Sequence, residues 1–246
     1  MGNVEDSINR CLSPFGLELK RTRNNPSLRT LLRRFFRQHE VDCVFDVGAN
    51  VGGYGQFLRA SVGYRGLIIS FEPVTAVYQS LHERAARDRS WVTHAMALGA
   101  ENGTLPIHIT KVSTFSSFLT PNPDAVGGFE GQNEVQRDEA VPVRRLDSLY
   151  PQLQAQHGFR RPFLKMDTQG FDREVLTGAE GVLPQFIGLQ SEICFLPLYR
   201  KMPGIAEMFP RVSGLGFDVV GMYPVNRTRQ ERWIEADTVF LRREPA

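Results

Sequence analysis

Short apolar runs of strand length recur along the chain at 43–47, 67–71, 91–95, 163–166, 187–193, 217–222 and 238–241. Several of the stretches between them carry apolar residues at helical spacing, as at 56–60, 75–87, 172–178 and 205–213. This alternation predicts a mostly parallel sheet with helices on both faces. Only a loop separates the last two runs, so the strand at 238–241 is expected to return antiparallel. Residues 100–145 break the rhythm with about 45 extra residues before the fourth strand. Alternating runs at 104–109 and 140–144 flank a loop rich in Pro and Gly, which predicts a β-hairpin excursion with a mobile tip over the carboxyl edge of the sheet.

The first run carries the most chemistry. Val44-Phe-Asp-Val-Gly-Ala-Asn-Val-Gly-Gly53 is a strand that ends in Asp46 and enters a turn containing Gly48, Asn50, Gly52 and Gly53. Such a turn lets backbone approach a ligand at the carboxyl edge of a parallel sheet. The second run ends in Glu72, followed by Pro73. A carboxylate there accepts both hydroxyls of a ribose, so the pair indicates an adenosine cofactor. A dinucleotide needs glycine where Asn50 stands, and Asp46 would repel its phosphates. S-adenosylmethionine has no phosphate and carries an ammonium that Asp46 would attract, so it is the favoured cofactor.

Composition adds little to this picture. With 246 residues, 41% hydrophobic and 23% charged, the chain suits one α/β domain of ordinary character. Its apolar runs are too short for a transmembrane helix, and the amino terminus lacks the basic-then-apolar order of a signal peptide. Cys11, Cys43 and Cys194 are odd in number and far apart, which fits free thiols in a reducing cytoplasm. A net charge of +2 does not suggest a nucleic-acid binder. Charge distribution matters more. Between Glu18 and Glu40 there is no acid, while Lys20, Arg21, Arg23, Arg29, Arg33, Arg34 and Arg37 accompany Leu28, Leu31, Leu32, Phe35 and Phe36 at helical spacing. Residues 1–40 therefore form a basic amphipathic helical extension to a domain at 41–246. The helix suits packing on the sheet, and its basic face also suits peripheral contact with an anionic membrane.

Taken together, Phe45-Asp-Val-Gly-Ala-Asn-Val-Gly52, Phe71-Glu-Pro73, Ala97-Leu-Gly99, the serine-rich stretch 113–117, Arg145-Leu-Asp-Ser-Leu149, Leu164-Lys-Met-Asp-Thr-Gln-Gly170 and Val175-Leu-Thr-Gly-Ala179 resemble the FkbM family of methyltransferases. The likeness runs in order from about 41 to 195. It implies a Rossmann-like, seven-stranded methyltransferase fold that uses S-adenosylmethionine, and O-methylation of a sugar, glycolipid or polyketide-type hydroxyl. The candidate cofactor-binding residues are then Asp46, Gly48, Asn50, Gly52, Glu72, Pro73, Ala97, Leu98 and Asp167. Many members of the family carry Glu where this chain has Gln169 and Asp172. Gln169 keeps its hydrogen bonds but loses the charge, so it is not a general base.

Methyl transfer to an alcohol is in-line displacement, helped by alignment and by a base that takes the hydroxyl proton. Asp167, at the end of the fourth strand, is the first candidate base and Glu192, near the end of the fifth, the second. His94 reads as a satisfied core residue, His108 as part of the excursion and His157 as part of a linker. Asp167 and Asp172 do not have the spacing of a metal site, and helix capping accounts for Asp172. Two other readings are a nicotinamide-dependent oxidoreductase, against which Asp46 and Asn50 argue, and a non-catalytic methyltransferase-like binding module.

Overall fold

The computed structural model describes residues 12–15, 26–122 and 131–244. The helix Leu28–Gln38 (α1) begins at Ser27, whose side chain accepts from the Thr30 amide. Next come Cys43–Val47 (β1), then Gly53–Phe57 (α2), prolonged by a wider turn over Leu58–Val62, and then Leu67–Phe71 (β2). Thr75–Ala85 (α3), Trp91–His94 (β3) and the short Ala97–Leu98 (β4) lead into the excursion, Gly103–Thr110 (β5) and Val135–Arg144 (β6). Leu146–His157 (α4), Pro162–Met166 (β7), Asp172–Thr177 (α5) and Gly188–Cys194 (β8) follow. Ile205–Gly214 (α6), Phe217–Arg227 (β9) and Trp233–Arg242 (β10) complete the order.

Seven strands form one sheet in the order β3-β2-β1-β7-β8-β10-β9, parallel except for β10, which runs antiparallel to both neighbours. The crossover from β1 back to β7 places two strand ends with opposite-going connections side by side, where α/β folds open a ligand crevice. The central strands β1 and β7 are buried at every position, as strands covered on both faces must be. One apolar layer packs α4, α5 and α6 against Phe45, Phe71, Leu164 and Met166. The other packs α1, α2 and α3 against Val44, Ile68 and Phe163.

In α1 the apolar stripe is fully engaged. Leu32, Phe35 and Phe36 are buried, and both phenylalanine rings meet Phe163 edge-on, at 5.5 and 5.1 Å. A side chain at Gly188 would strike the Phe240 carbonyl of β10 and the Phe35 ring of α1, so β8 begins with glycine where strand and helix both close on it. Arg29, Arg33, Arg34 and Arg37 face outward. Of the basic run, Lys20, Arg21 and Arg23 lie outside the described residues, as does Cys11. Cys43 and Cys194 are buried free thiols.

The excursion pairs β5 with β6 antiparallel and adds β4 alongside β6, making a separate three-stranded sheet. It seats on the end of β2 through Val74, Ile107 and Val141. The expected mobile tip falls largely on residues 123–130, outside the described residues. The segment 113–122 leading to it is bound to the loop after β8. Arg200 donates its amide to Thr120 O, and Asn122 donates its amide to Leu198 O.

Candidate active site

At the carboxyl edge of β1, Gly48 takes φ +74° because its backbone is pressed against the end of β7; a Cβ there would lie 2.0 Å from the Asp167 carbonyl oxygen. The amides of Gly48 and Ala49 both donate to Phe71 O at 3.1 Å, which ties the turn to β2. Asn50 follows in the left-handed region at φ +48°, one of the few side chains that accept it. Its amide donates to Glu72 Oε2 at 2.9 Å, and its side-chain nitrogen reaches Ser113 Oγ at 3.3 Å. Glu72 Oε1 accepts from the Val74 amide. Burial pushes the Glu72 carboxyl up to about 7, against the pull of those two backbone donors.

These groups open on a cavity of about 260 Å³. Its walls include Phe71, Leu98, Ile107, Phe118 and Phe171, with the Phe118 and Phe171 rings in tilted contact at 4.5 Å. The segment 113–118 forms a roof. It is held by Ser117 Oγ, which donates to Gln169 O at 2.7 Å, and by the Tyr199 hydroxyl, 2.9 Å from both Phe115 O and Gln169 Oε1. Beyond Gly48 the floor continues across the strand ends to Asp167, Glu192 and Glu235. Gln169 Nε2 joins the first two, at 3.1 Å from Asp167 Oδ1 and 3.3 Å from Glu192 Oε2. Gln169 sits at φ +52° to make that bridge.

Most of the candidates from sequence meet in this cavity: Gly48, Asn50, Glu72, Pro73, Ala97, Leu98, Asp167 and Glu192 all line it. Two do not. Gly52 turns away, and a Cβ on it would meet Leu81 and Trp91; its φ of +84° serves the entry to α2. Asp46 is wholly buried beneath the turn, where Lys165 Nζ lies 3.0 Å from Oδ1 and Ser70 Oγ donates to Oδ2. Its charge is therefore met from within the sheet, and it reaches the site only through Lys165, which also lies 3.5 Å from Asp167 Oδ2. Burial pulls the Lys165 ammonium down, but Asp46 and then Asp167 outweigh it and the pKa ends above the ordinary value.

Asp172 does not cap its helix. It accepts from the Thr168 amide and hydroxyl on one oxygen and from Ser191 Oγ on the other, pinning the loop after β7 to β8. His94 is half-buried and stacked on Phe71 at 5.2 Å, but its Nε2 finds no partner among the described residues, so it is not the satisfied residue expected. His157 ends α4 rather than sitting in a linker, and His108 pairs with Asp138 at 2.6 Å. Sequence reading missed Lys165, Tyr199, Asn226 and Glu235. A charged residue inside the apolar run Phe163-Leu-Lys-Met166, and an acid inside Trp233-Ile-Glu-Ala236, were the available signals.

The donor set fits S-adenosylmethionine. Glu72 keeps lone pairs free for a vicinal diol, and apolar walls beside it suit a purine. The charged side chains lining the cavity, among the described residues, are all acids: Glu72, Asp167, Glu192 and Glu235. That environment favours a cation and has no Lys or Arg for a pyrophosphate.

The family model described as the methyltransferase FkbM domain matches residues 46–219. Comparison with curated proteins gives no match. Among solved structures, an rRNA methylase from Streptococcus thermophilus is 10% identical with a TM-score of 0.46, over 93% of this chain and 100% of its own. Magnesium protoporphyrin IX methyltransferase from Synechocystis, with S-adenosylmethionine bound, is 9% identical with a TM-score of 0.43, over 98% and 95%. LepI in complex with S-adenosylmethionine is 12% identical with a TM-score of 0.41; the match takes in 82% of this chain but only 43% of LepI.

Proposed function

The chain belongs to the FkbM-domain methyltransferases, and from that premise we propose that it methylates a hydroxyl of a sugar, glycolipid or polyketide-type natural product. The methyl donor is S-adenosylmethionine, which when bound supplies an electrophilic methyl group on a sulfonium. Glu72 holds the ribose hydroxyls, while Gly48 and Asn50 shape the backbone beside them. The observation that carries the acceptor reading is the pairing of Asp167 and Glu192 through the Gln169 amide on the cavity floor.

The two carboxylates divide the work. Asp167 lies 3.5 Å from Lys165 Nζ and 3.1 Å from Gln169 Nε2, two partners that hold its carboxylate in place. Burial, then the neighbouring Asp167 and Glu235, raise the Glu192 carboxyl well above the usual carboxylate range. In this reading Glu192, rather than Asp167, takes the hydroxyl proton, and Asp167 orients. The roof at 113–118 limits water around the reacting atoms.

The test is transfer of a labelled methyl group from S-adenosylmethionine to a panel of hydroxylated sugars, glycolipid headgroups and macrolides. Label in an O-methyl product is expected, with Glu192→Gln lowering kcat by about 100-fold or more and leaving S-adenosylhomocysteine affinity nearly unchanged. Label only on nitrogen or carbon sinks the reading. Among the described residues, contact with an anionic membrane would rest on the exposed arginines of α1, since its apolar face is buried. Salt-sensitive co-sedimentation with anionic vesicles is its check.

A further inference from the structure

The cavity lining includes Asn226 and Glu235, to which the cofactor and base assignments above give no part. Its floor crosses the strand ends in the order β2, β1, β7, β8, β10, with Glu72 at one end and Glu235 at the other. At about 4.8 Å between strands these ends are roughly 19 Å apart. Glu72 and Glu235 therefore serve different parts of the bound assembly, and the β8–β10 end belongs to the acceptor.

Glu235 is an unusual residue for such a place. It is only 3% exposed, and its Oε1 has no hydrogen-bond partner among the described residues. The Asn226 amide faces its carboxylate, and no lysine, arginine or histidine lines the cavity there. Native structures rarely leave a buried carboxylate oxygen unpaired, and a group that binds there is one way to complete it. The β8–β10 register pairs Glu192 with Asp237, which makes Glu235 the diagonal neighbour of Glu192 on the same face, about 7–8 Å away. A carbohydrate ring bridges such a gap, with a substituent directed at each carboxylate. Asn226 and Glu235 also lie beyond the residues matched by the family model, 46–219.

We propose that Glu235, with Asn226, binds a protonated amine on the acceptor, so that the substrate is an amino sugar or a comparable amino alcohol whose hydroxyl faces Glu192. This rests on the methyltransferase reading above. An ammonium supplies both the charge and the hydrogen-bond donor that Glu235 Oε1 lacks, and a neutral N-acetyl group supplies no charge. A phosphorylated or carboxylated acceptor would bring no cation to Glu235 Oε1 and would meet repulsion from Asp167.

Protein saturated with S-adenosylhomocysteine is titrated with glucosamine, galactosamine and kanamycin, each beside its N-acetylated form, and binding is followed by saturation-transfer NMR and calorimetry. At least one amine is expected to bind tenfold or more tighter than its acetylated partner. Glu235→Gln should bring that ratio below about threefold while leaving S-adenosylhomocysteine affinity intact, which also shows that the variant is folded. Equal binding of the two forms, no binding of any amine, or a preference that survives Glu235→Gln overturns the proposal. Failure of S-adenosylhomocysteine itself to bind overturns the methyltransferase reading, and the proposal with it.

Discussion

Glu72 shows how much one side chain can decide. Its carboxyl is raised from 4.5 to about 7 by burial. A carboxyl with a raised pKa contributes most to folding while protonated, so this contribution is full below about pH 4.5 and is lost as pH rises through about 7. Ligand binding runs the other way. Ribose hydroxyls donate to the anion, so binding must drive the proton off below pH 7. S-adenosylhomocysteine affinity is therefore expected to fall by up to about tenfold per pH unit below pH 7, and the slope should vanish in Glu72→Gln. Calorimetry between pH 5.5 and 8.5 measures both. At neutral pH, Glu72→Ala should weaken binding by about 1–3 kcal/mol, the scale of a lost charged partner. Gly48→Ala tests the turn. The added carbon would lie 2.0 Å from the Asp167 carbonyl at a φ of +74°, so β1 and β7 must part. Loss of both thermal stability and cofactor binding is expected; an unchanged melting curve would mean that the turn relaxes freely.

The elements carry a second, hidden construction. Register aligns Ser70 with Asp46 and Asp46 with Lys165, and then Lys165 with Gln190, in a polar row across four neighbouring strands. Trp91 Nε1 donates to Ser70 at one end, and Gln190 donates to Asp237 at the other. Tyr54 of α2 closes over the row, its hydroxyl donating to Gln190 and its ring lying 5.1 Å from Lys165 Nζ. Lys165→Met would leave Asp46 in the core without its cation, with only the Ser70 hydroxyl still donating to it among the described residues, and a loss of about 3–5 kcal/mol is expected in urea unfolding. Adding Asp46→Leu should recover at least half of it, because the pair contributes through its mutual compensation. If the double variant is no more stable than the single one, the row is held by packing instead. The same row explains why Asp46 was misread from sequence. Strand alternation turns it toward α2, and the buried lysine opposite it was the clue.

At the scale of the whole molecule, legibility follows burial. The strands covered on both faces stand out as apolar runs, and β1, β2, β7 and β8 begin and end within a residue of where the pattern places them. The edge strand β9 exposes Val219, Val220 and Val225 and contains Pro224, so its outer half carries no apolar run and reads as loop. The candidate site divides in the same way. Gly48, Glu72, Asp167 and Glu192 lie at or just beyond the carboxyl ends of parallel strands, where a sequence reader looks. Glu235 comes from the beginning of β10, which reaches that edge only because the strand runs backwards. Tyr199 arrives through a loop, and no period in the sequence announces it.

The charged side chains that line the cavity, all of them acids among the described residues, bear on molecular traffic. Purine nucleotides vastly more abundant than any methyl donor share its adenosine half, and shape alone would let them compete. Phosphate groups approaching Asp167 meet like charge in a confined, poorly screened space, and the raised carboxyls of Glu192 and Glu235 offer no cation to offset it. Millimolar ATP is therefore expected to leave the S-adenosylhomocysteine isotherm unmoved, whereas adenosine should shift it, and Asp167→Asn should begin to admit ATP. Competition by ATP in the unaltered protein would show that the cavity selects by shape only. With the acids in place, the adenosine half can stay generic, and the cell's nucleotide pool is kept out by charge rather than by fit.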